Sequence, residues 1–116
     1  MELVALLSSG KGTWAQVAGV IKREDWSKVF LLGDSFASGF QTDKPSEFIK
    51  IDLTKSTNEI KAQIKEKLKG KLEGLEVALT IASGSGREHM ALISALIEHP
   101  AGIKFVILTK DGLVYL

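Results

Sequence analysis

A chain of 116 residues fits one domain and leaves no room for a second of ordinary size. Its 45% hydrophobic content suits a globular protein with a real core, and a net charge of +1 excludes binding to nucleic acid through overall charge. There is no cysteine, which excludes disulfides, thiolate metal sites and cysteine nucleophiles together.

Leu3 to Leu7 is apolar at every position and reads as a buried strand. The Gly-rich run Ser8-Ser9-Gly10-Lys11-Gly12-Thr13 follows it. Trp14, Val17, Ala18 and Ile21 then recur at i, i+3, i+4, i+7, which predicts an amphipathic helix over Thr13 to Arg23. A second strand, Lys28 to Leu32, ends at Gly33-Asp34. The polar loop from Asp34 to about Glu47 is long enough to carry function and has room for one helical turn. Phe48 to Leu53 alternates as a half-buried or edge strand. Ser56 with Glu59 spells a capping box, and the helix behind it sets Ile60, Ile64 and Leu68 on one face. Its other face carries Lys61, Lys65, Glu66, Lys67 and Lys69, a solvated surface that acidic residues interrupt. Gly70 or Gly74 ends that helix. Glu76 to Ala82 is a fourth strand and runs into Ser83-Gly84-Ser85-Gly86-Arg87. The helix after it, Glu88 to His99, is almost wholly apolar and is stopped by Pro100. Lys104 to Thr109 and Leu113 to Leu116 flank Lys110-Asp111-Gly112, a hairpin turn.

The order predicts one three-layer, Rossmann-like α/β domain over 1–116. Its sheet of about six strands is mostly parallel, with a C-terminal antiparallel hairpin. A doubly wound order places the first and fourth strands side by side, so both Gly-rich loops leave at the topological switch point. Two such loops offer backbone N–H groups, hydroxyls and cations on one rim, the makings of a phosphate site. Glu2 ahead of a five-residue apolar run is not a signal-peptide pattern, and no run nears a membrane span; a soluble cytoplasmic protein is expected.

Each motif has more than one reading. Gly10-Lys11-Gly12-Thr13-Trp14-Ala15 fits GxGxxG/A, and Asp34 stands where a ribose-binding carboxylate would be. A second Gly-rich loop is not part of that dinucleotide fingerprint, however. A P-loop is excluded: Ala5 replaces its first glycine, and Gly12 rather than Ser or Thr follows Lys11. Arg87 in a first helical turn opposes the helix dipole, a penalty that an anionic ligand offsets; otherwise it points to solvent or pairs with Glu88 or Asp34. His89 is a candidate acid or base beside Arg87, or a structural histidine. His99 reads as a helix cap, and two histidines without clustered carboxylates make no metal site. Trp14, Phe36 and Phe40 are core residues or flank a base. No GxSxG elbow supports acyl transfer at Ser8 or Ser9.

Thr80 to Arg87, the apolar helix from Met90 and the terminal hairpin resemble the CRISPR-associated Rossmann fold (CARF) family. Leu7-Ser8-Ser9-Gly10-Lys11 matches that family's other ligand-facing loop. The resemblance implies a stand-alone, short member: a homodimer that binds cyclic oligoadenylate across its two-fold axis, without membrane or duplex nucleic acid. Carried over by position, Ser8, Ser9, Gly10, Lys11 and Gly12 would face the ligand from one loop, and Ser83, Gly84, Ser85, Gly86 and Arg87 from the other. Some members cleave their ligand as metal-independent ring nucleases. In that case Ser8 or Ser9 would orient the ribose, and Lys11 and Arg87 would stabilise the charged transition state; no metal or cofactor is implied. The alternatives are an NAD- or mononucleotide-binding Rossmann subunit working with a partner chain, and a structural or interaction subunit without ligand.

Overall fold

The computed structural model describes residues 1–8, 13–99 and 102–116. Its elements are β1 (Glu2–Leu7), α1 (Trp14–Lys22), β2 (Lys28–Gly33), a 3-10 turn (Ser35–Gly39), β3 (Glu47–Lys50), α2 (Thr57–Leu68), β4 (Glu76–Thr80), α3 (Gly86–Ile97), β5 (Gly102–Thr109) and β6 (Gly112–Tyr115). The strands form one sheet in the order β3-β2-β1-β4-β5-β6. All neighbours are parallel except β5 and β6. This is the mostly parallel Rossmann-like sheet that the sequence predicts.

Both faces of the sheet are covered, and the central strand shows why β1 is apolar throughout. Leu3, Ala5 and Leu7 pack with Val17, Val20 and Ile21 of α1. Val4 and Leu6 pack on the other side with Ile60, Ile64 and Leu68 of α2 and Ala91, Leu92, Ala95 and Leu96 of α3. A parallel sheet between two helical layers demands such a strand. α2 begins where Ser56 Oγ accepts the Glu59 N–H at 3.4 Å. The same hydroxyl donates to the Glu59 carboxylate at 2.7 Å, so the return half of the motif closes on the side chain. Gly70 ends α2, with φ at +76° just past the cap residue Lys69.

Three boundaries differ from the sequence pattern for a physical reason. β3 stops at Lys50 rather than Leu53. Ile51 and Leu53 remain buried against α2, which carries the alternation past the strand's end. There the backbone of Asp52 bonds a side chain: its N–H donates to Gln63 Oε1 at 2.8 Å and its carbonyl accepts from Gln63 Nε2 at 3.0 Å. β4 stops at Thr80, and α3 starts at Gly86, capped by Ser85, because the capping hydroxyl fixes the first turn. Pro100, expected to stop α3, lies outside the described residues.

At the amino ends of the strands the buried Glu2 carboxylate accepts the N–H groups of Glu73 and Gly74, each at 2.9 Å. At the carboxyl ends, Gly33 passes very close to β1. A Cβ there would stand 2.5 Å from the Leu7 carbonyl oxygen and 2.8 Å from Ala37 Cβ. β1 is clamped on both sides and cannot retreat. Gly33→Ala is therefore expected to cost about 1–3 kcal/mol, the range for overpacking a close-packed interior. Urea unfolding checks it, as a lowered midpoint at unchanged slope.

Candidate functional site

β1 and β4 are hydrogen-bonded neighbours, with Ala5 in register with Thr80. The loops that follow them leave from the same rim of the sheet. The Ser8 N–H donates to Ser83 Oγ at 2.9 Å, across 75 residues of sequence. Both residues are buried, Ser83 completely. The Ser8 carbonyl accepts the Trp14 indole N–H at 2.9 Å. The Ser83 carbonyl faces His89 Nε2 at 2.8 Å. A carbonyl only accepts, so that ring nitrogen carries the hydrogen. The result is one continuous chain of hydrogen bonds from α1, through both strand ends, to α3. His89 is committed to it through Nε2.

Gly84 comes next, at φ +107°, a left-handed conformation that L side chains rarely adopt. A Cβ there would also stand 2.5 Å from Leu6 Cδ2. Ser85 then caps α3 in a full capping box. Its Oγ accepts the Glu88 N–H at 3.3 Å, and the Glu88 carboxylate accepts the Ser85 N–H at 2.9 Å. Gly86 and Arg87 open the helix. Their N–H groups have no intrahelical acceptor and point along the positive end of the dipole.

Arg87 neither extends into solvent unbound nor pairs with Glu88 or Asp34. Its guanidinium donates to the carbonyl of Leu53 at 2.9 Å and to that of Lys55. It thus ties the β3–α2 connection to the N-terminus of α3. Ser8, Ser83, Gly84, Ser85, Gly86 and Arg87 come together at one rim. Of these, Ser8 and Ser83 are buried, and Gly84 to Arg87 are exposed. Ser9, Gly10, Lys11 and Gly12 lie outside the described residues.

The adjacent part of the rim is built by the 34–54 region. Asp34 Oδ1 accepts the Phe36 and Ala37 N–H groups at 3.1 and 3.3 Å, which caps the 3-10 turn. Trp14 touches both loop aromatics, its ring centroid 5.6 Å from Phe36 in a tilted contact and 5.9 Å from Phe40 edge to face. Phe40 joins the α1-side core, whereas Phe36 stays largely exposed. Thr54 bonds Asp52 Oδ1 through its hydroxyl at 2.6 Å and its N–H at 3.0 Å. Those two bonds, aided by Lys55 and Lys50, hold the Asp52 carboxyl below its ordinary pKa. No sequence motif announced the Arg87 tie or the Ser8–Ser83 bond; the one hint was an arginine placed against a helix dipole.

A groove of about 620 Å³ lies between the C-terminal ends of α2 and α3, away from this chemistry. His99 lines it. Its Nδ1 is buried without a hydrogen-bond partner, and the residue at the cap position of α3 is Glu98. Among the described residues no group of three His, Cys, Asp or Glu side chains could hold a metal ion, and no helix is long and apolar enough to cross a membrane.

Ser83→Ala would leave the buried Ser8 N–H without an acceptor. We expect a loss of about 1–3 kcal/mol in unfolding free energy, measured by chemical denaturation.

No protein-family model matches this sequence, and no curated protein matches it. Among solved structures it is similar to protein VC1899 from Vibrio cholerae, at a TM-score of 0.68 and 16% identity. The match covers 99% of this chain but 33% of that one, so this chain spans about a third of its structural neighbour. At that identity the likeness is one of fold.

Proposed function

We propose that this domain binds a phosphodiester or nucleotide at the carboxyl ends of β1 and β4, as a homodimer in the manner of a cyclic oligoadenylate sensor. The observation that carries the reading is the meeting of Ser8 and the Ser83–Arg87 turn at the carboxyl ends of two adjacent parallel strands, tied by the Ser8–Ser83 bond. Ligands of open α/β sheets bind in this crevice. The Gly86 and Arg87 N–H groups supply donors to an anion, and the small residues Gly84 to Gly86 let it approach the backbone. The buried Glu88 carboxylate fills the inner side of the turn, so the phosphate seats on the outer side, next to Arg87.

The homodimer has a surface to use. β5 turns Ile103 and Phe105 toward the α3 side of the sheet, where they are only partly covered. Ile107, opposite Val114, and Leu116, bonded to the Phe105 carbonyl, extend the same face and are exposed. Met90 and Ile97 of α3 are exposed on that side of the sheet as well. Concentrated apolar exposure marks an interaction surface. A two-fold axis through it, parallel to the strands, would set two α3 N-termini around one groove. Ile107→Glu is expected to turn the dimer into a monomer in analytical ultracentrifugation. A wild-type protein that sediments as a monomer overturns the dimer.

A second reading, a structural subunit without ligand, is favoured by one observation: the capping box and the Arg87 tie already occupy several groups of the loop. Thermal shift separates the two. Under the binding reading, cyclic tetra- or hexa-adenylate at a hundredfold excess over the dissociation constant stabilises by about 2.7 kcal/mol. Gly86→Pro removes one N–H at the first helical position, where proline fits the helix. It is expected to fold normally and lose most of the shift, as is Arg87→Ala. No shift with the cyclic adenylates, NAD, ATP or AMP leaves the structural reading. Product analysis after prolonged incubation tests ring cleavage; intact ligand means binding alone.

A further inference from the structure

A second cavity, of about 350 Å³, opens at the carboxyl ends of β2 and β3. Its walls include Asp34, Phe36, Lys50, Ile51, Asp52 and Thr54. Two features give it a chemical character. Phe36 offers a ring, 55% exposed, whose centroid lies 5.6 Å from that of Trp14 in a tilted contact. Asp34 and Asp52 each commit one carboxylate oxygen to local N–H or O–H groups, and among the described residues no hydrogen bond engages the other oxygen of either. Carboxylates accept and never donate, so an occupant must bring hydroxyl or amino hydrogens. A flat ring joined to hydroxyls and amino groups meets both conditions.

The cavity is also joined to the α3 N-terminus. Its Asp52–Thr54 wall belongs to the segment whose carbonyls, at Leu53 and Lys55, hold the Arg87 guanidinium. A ligand with a phosphate against α3 and a ring one step along the rim would touch both ends of this tie.

We infer that this cavity is the nucleoside subsite, with Phe36 as the stacking platform and the Asp34 and Asp52 carboxylates as acceptors for ribose or base hydrogens. The linkage of the subsite to a phosphate rests on the phosphodiester reading above. It assigns the 34–54 region to the choice of nucleoside and the 83–87 turn to the charge.

Titration of adenosine and AMP into wild type, Phe36→Ala, Phe36→Trp and Gly86→Pro tests it, with saturation-transfer NMR to register weak binding. Phe36 is at the surface, so both of its variants should fold. Phe36→Ala is expected to weaken adenosine and AMP alike by about tenfold or more, the loss seen when a base loses an aromatic partner. Phe36→Trp should restore binding. Gly86→Pro should weaken AMP and leave adenosine untouched. Equal adenosine affinity in wild type and Phe36→Ala overturns the subsite, even if Gly86→Pro still weakens AMP and upholds the phosphate reading. Adenosine lost in Phe36→Ala, with AMP indifferent to Gly86→Pro, sinks the phosphate reading and keeps the nucleoside subsite. Absence of any adenosine signal in the wild type also overturns the subsite.

Discussion

One buried hydrogen bond, from the Ser8 amide to the Ser83 hydroxyl, sets the relation between the two halves of this sheet. Past Ala5 and Thr80 the two chains no longer pair in regular register and must diverge toward α1 and α3. Divergence leaves backbone polar groups buried, and each needs a partner or costs free energy comparable to a lost bond. Serine is small enough to sit between the strand ends and polar enough to satisfy the amide. Trp14 and His89 meet the two carbonyls. The rim that would meet a ligand is thus rigid beneath and small-residued above.

That rigidity has a counterpart in how α3 begins. A capping box normally uses the first amides of a helix for its own stability. Here it takes those of Ser85 and Glu88 and leaves those of Gly86 and Arg87. The turn is stable without a ligand and keeps donors pointing outward. Arg87 follows the same division. Its side chain is spent on the carbonyls of Leu53 and Lys55, which offsets the penalty of a cation at the positive end of the helix. An incoming anion would find the guanidinium already oriented by those carbonyls.

Much of the architecture was legible in the sequence because periodicity reports burial directly. The unbroken run Leu3 to Leu7 gave a central strand, and the Ile60, Ile64, Leu68 spacing gave the buried face of α2. The neighbouring of β1 and β4 followed from alternation and handedness. Where burial and strand pairing part company, the pattern misleads: Ile51 and Leu53 are buried without belonging to β3. The rim was legible as a place but not as a set of roles. Ser83 reads like a ligand contact and is a buried brace. Asp34 stands where a ribose carboxylate belongs, yet one of its oxygens caps a 3-10 turn. Such roles depend on partners 30 to 75 residues away, which local sequence does not encode.

The two outermost strands, β3 and β6, are four residues each. Such brief margins give a passing polypeptide little backbone to add to, and brevity is one of the ways β-proteins avoid runaway fibre growth. Any self-association of this molecule would thereby be steered from main-chain zippering toward side-chain contact. An isologous side-chain interface closes after two copies, where strand addition has no natural stopping point.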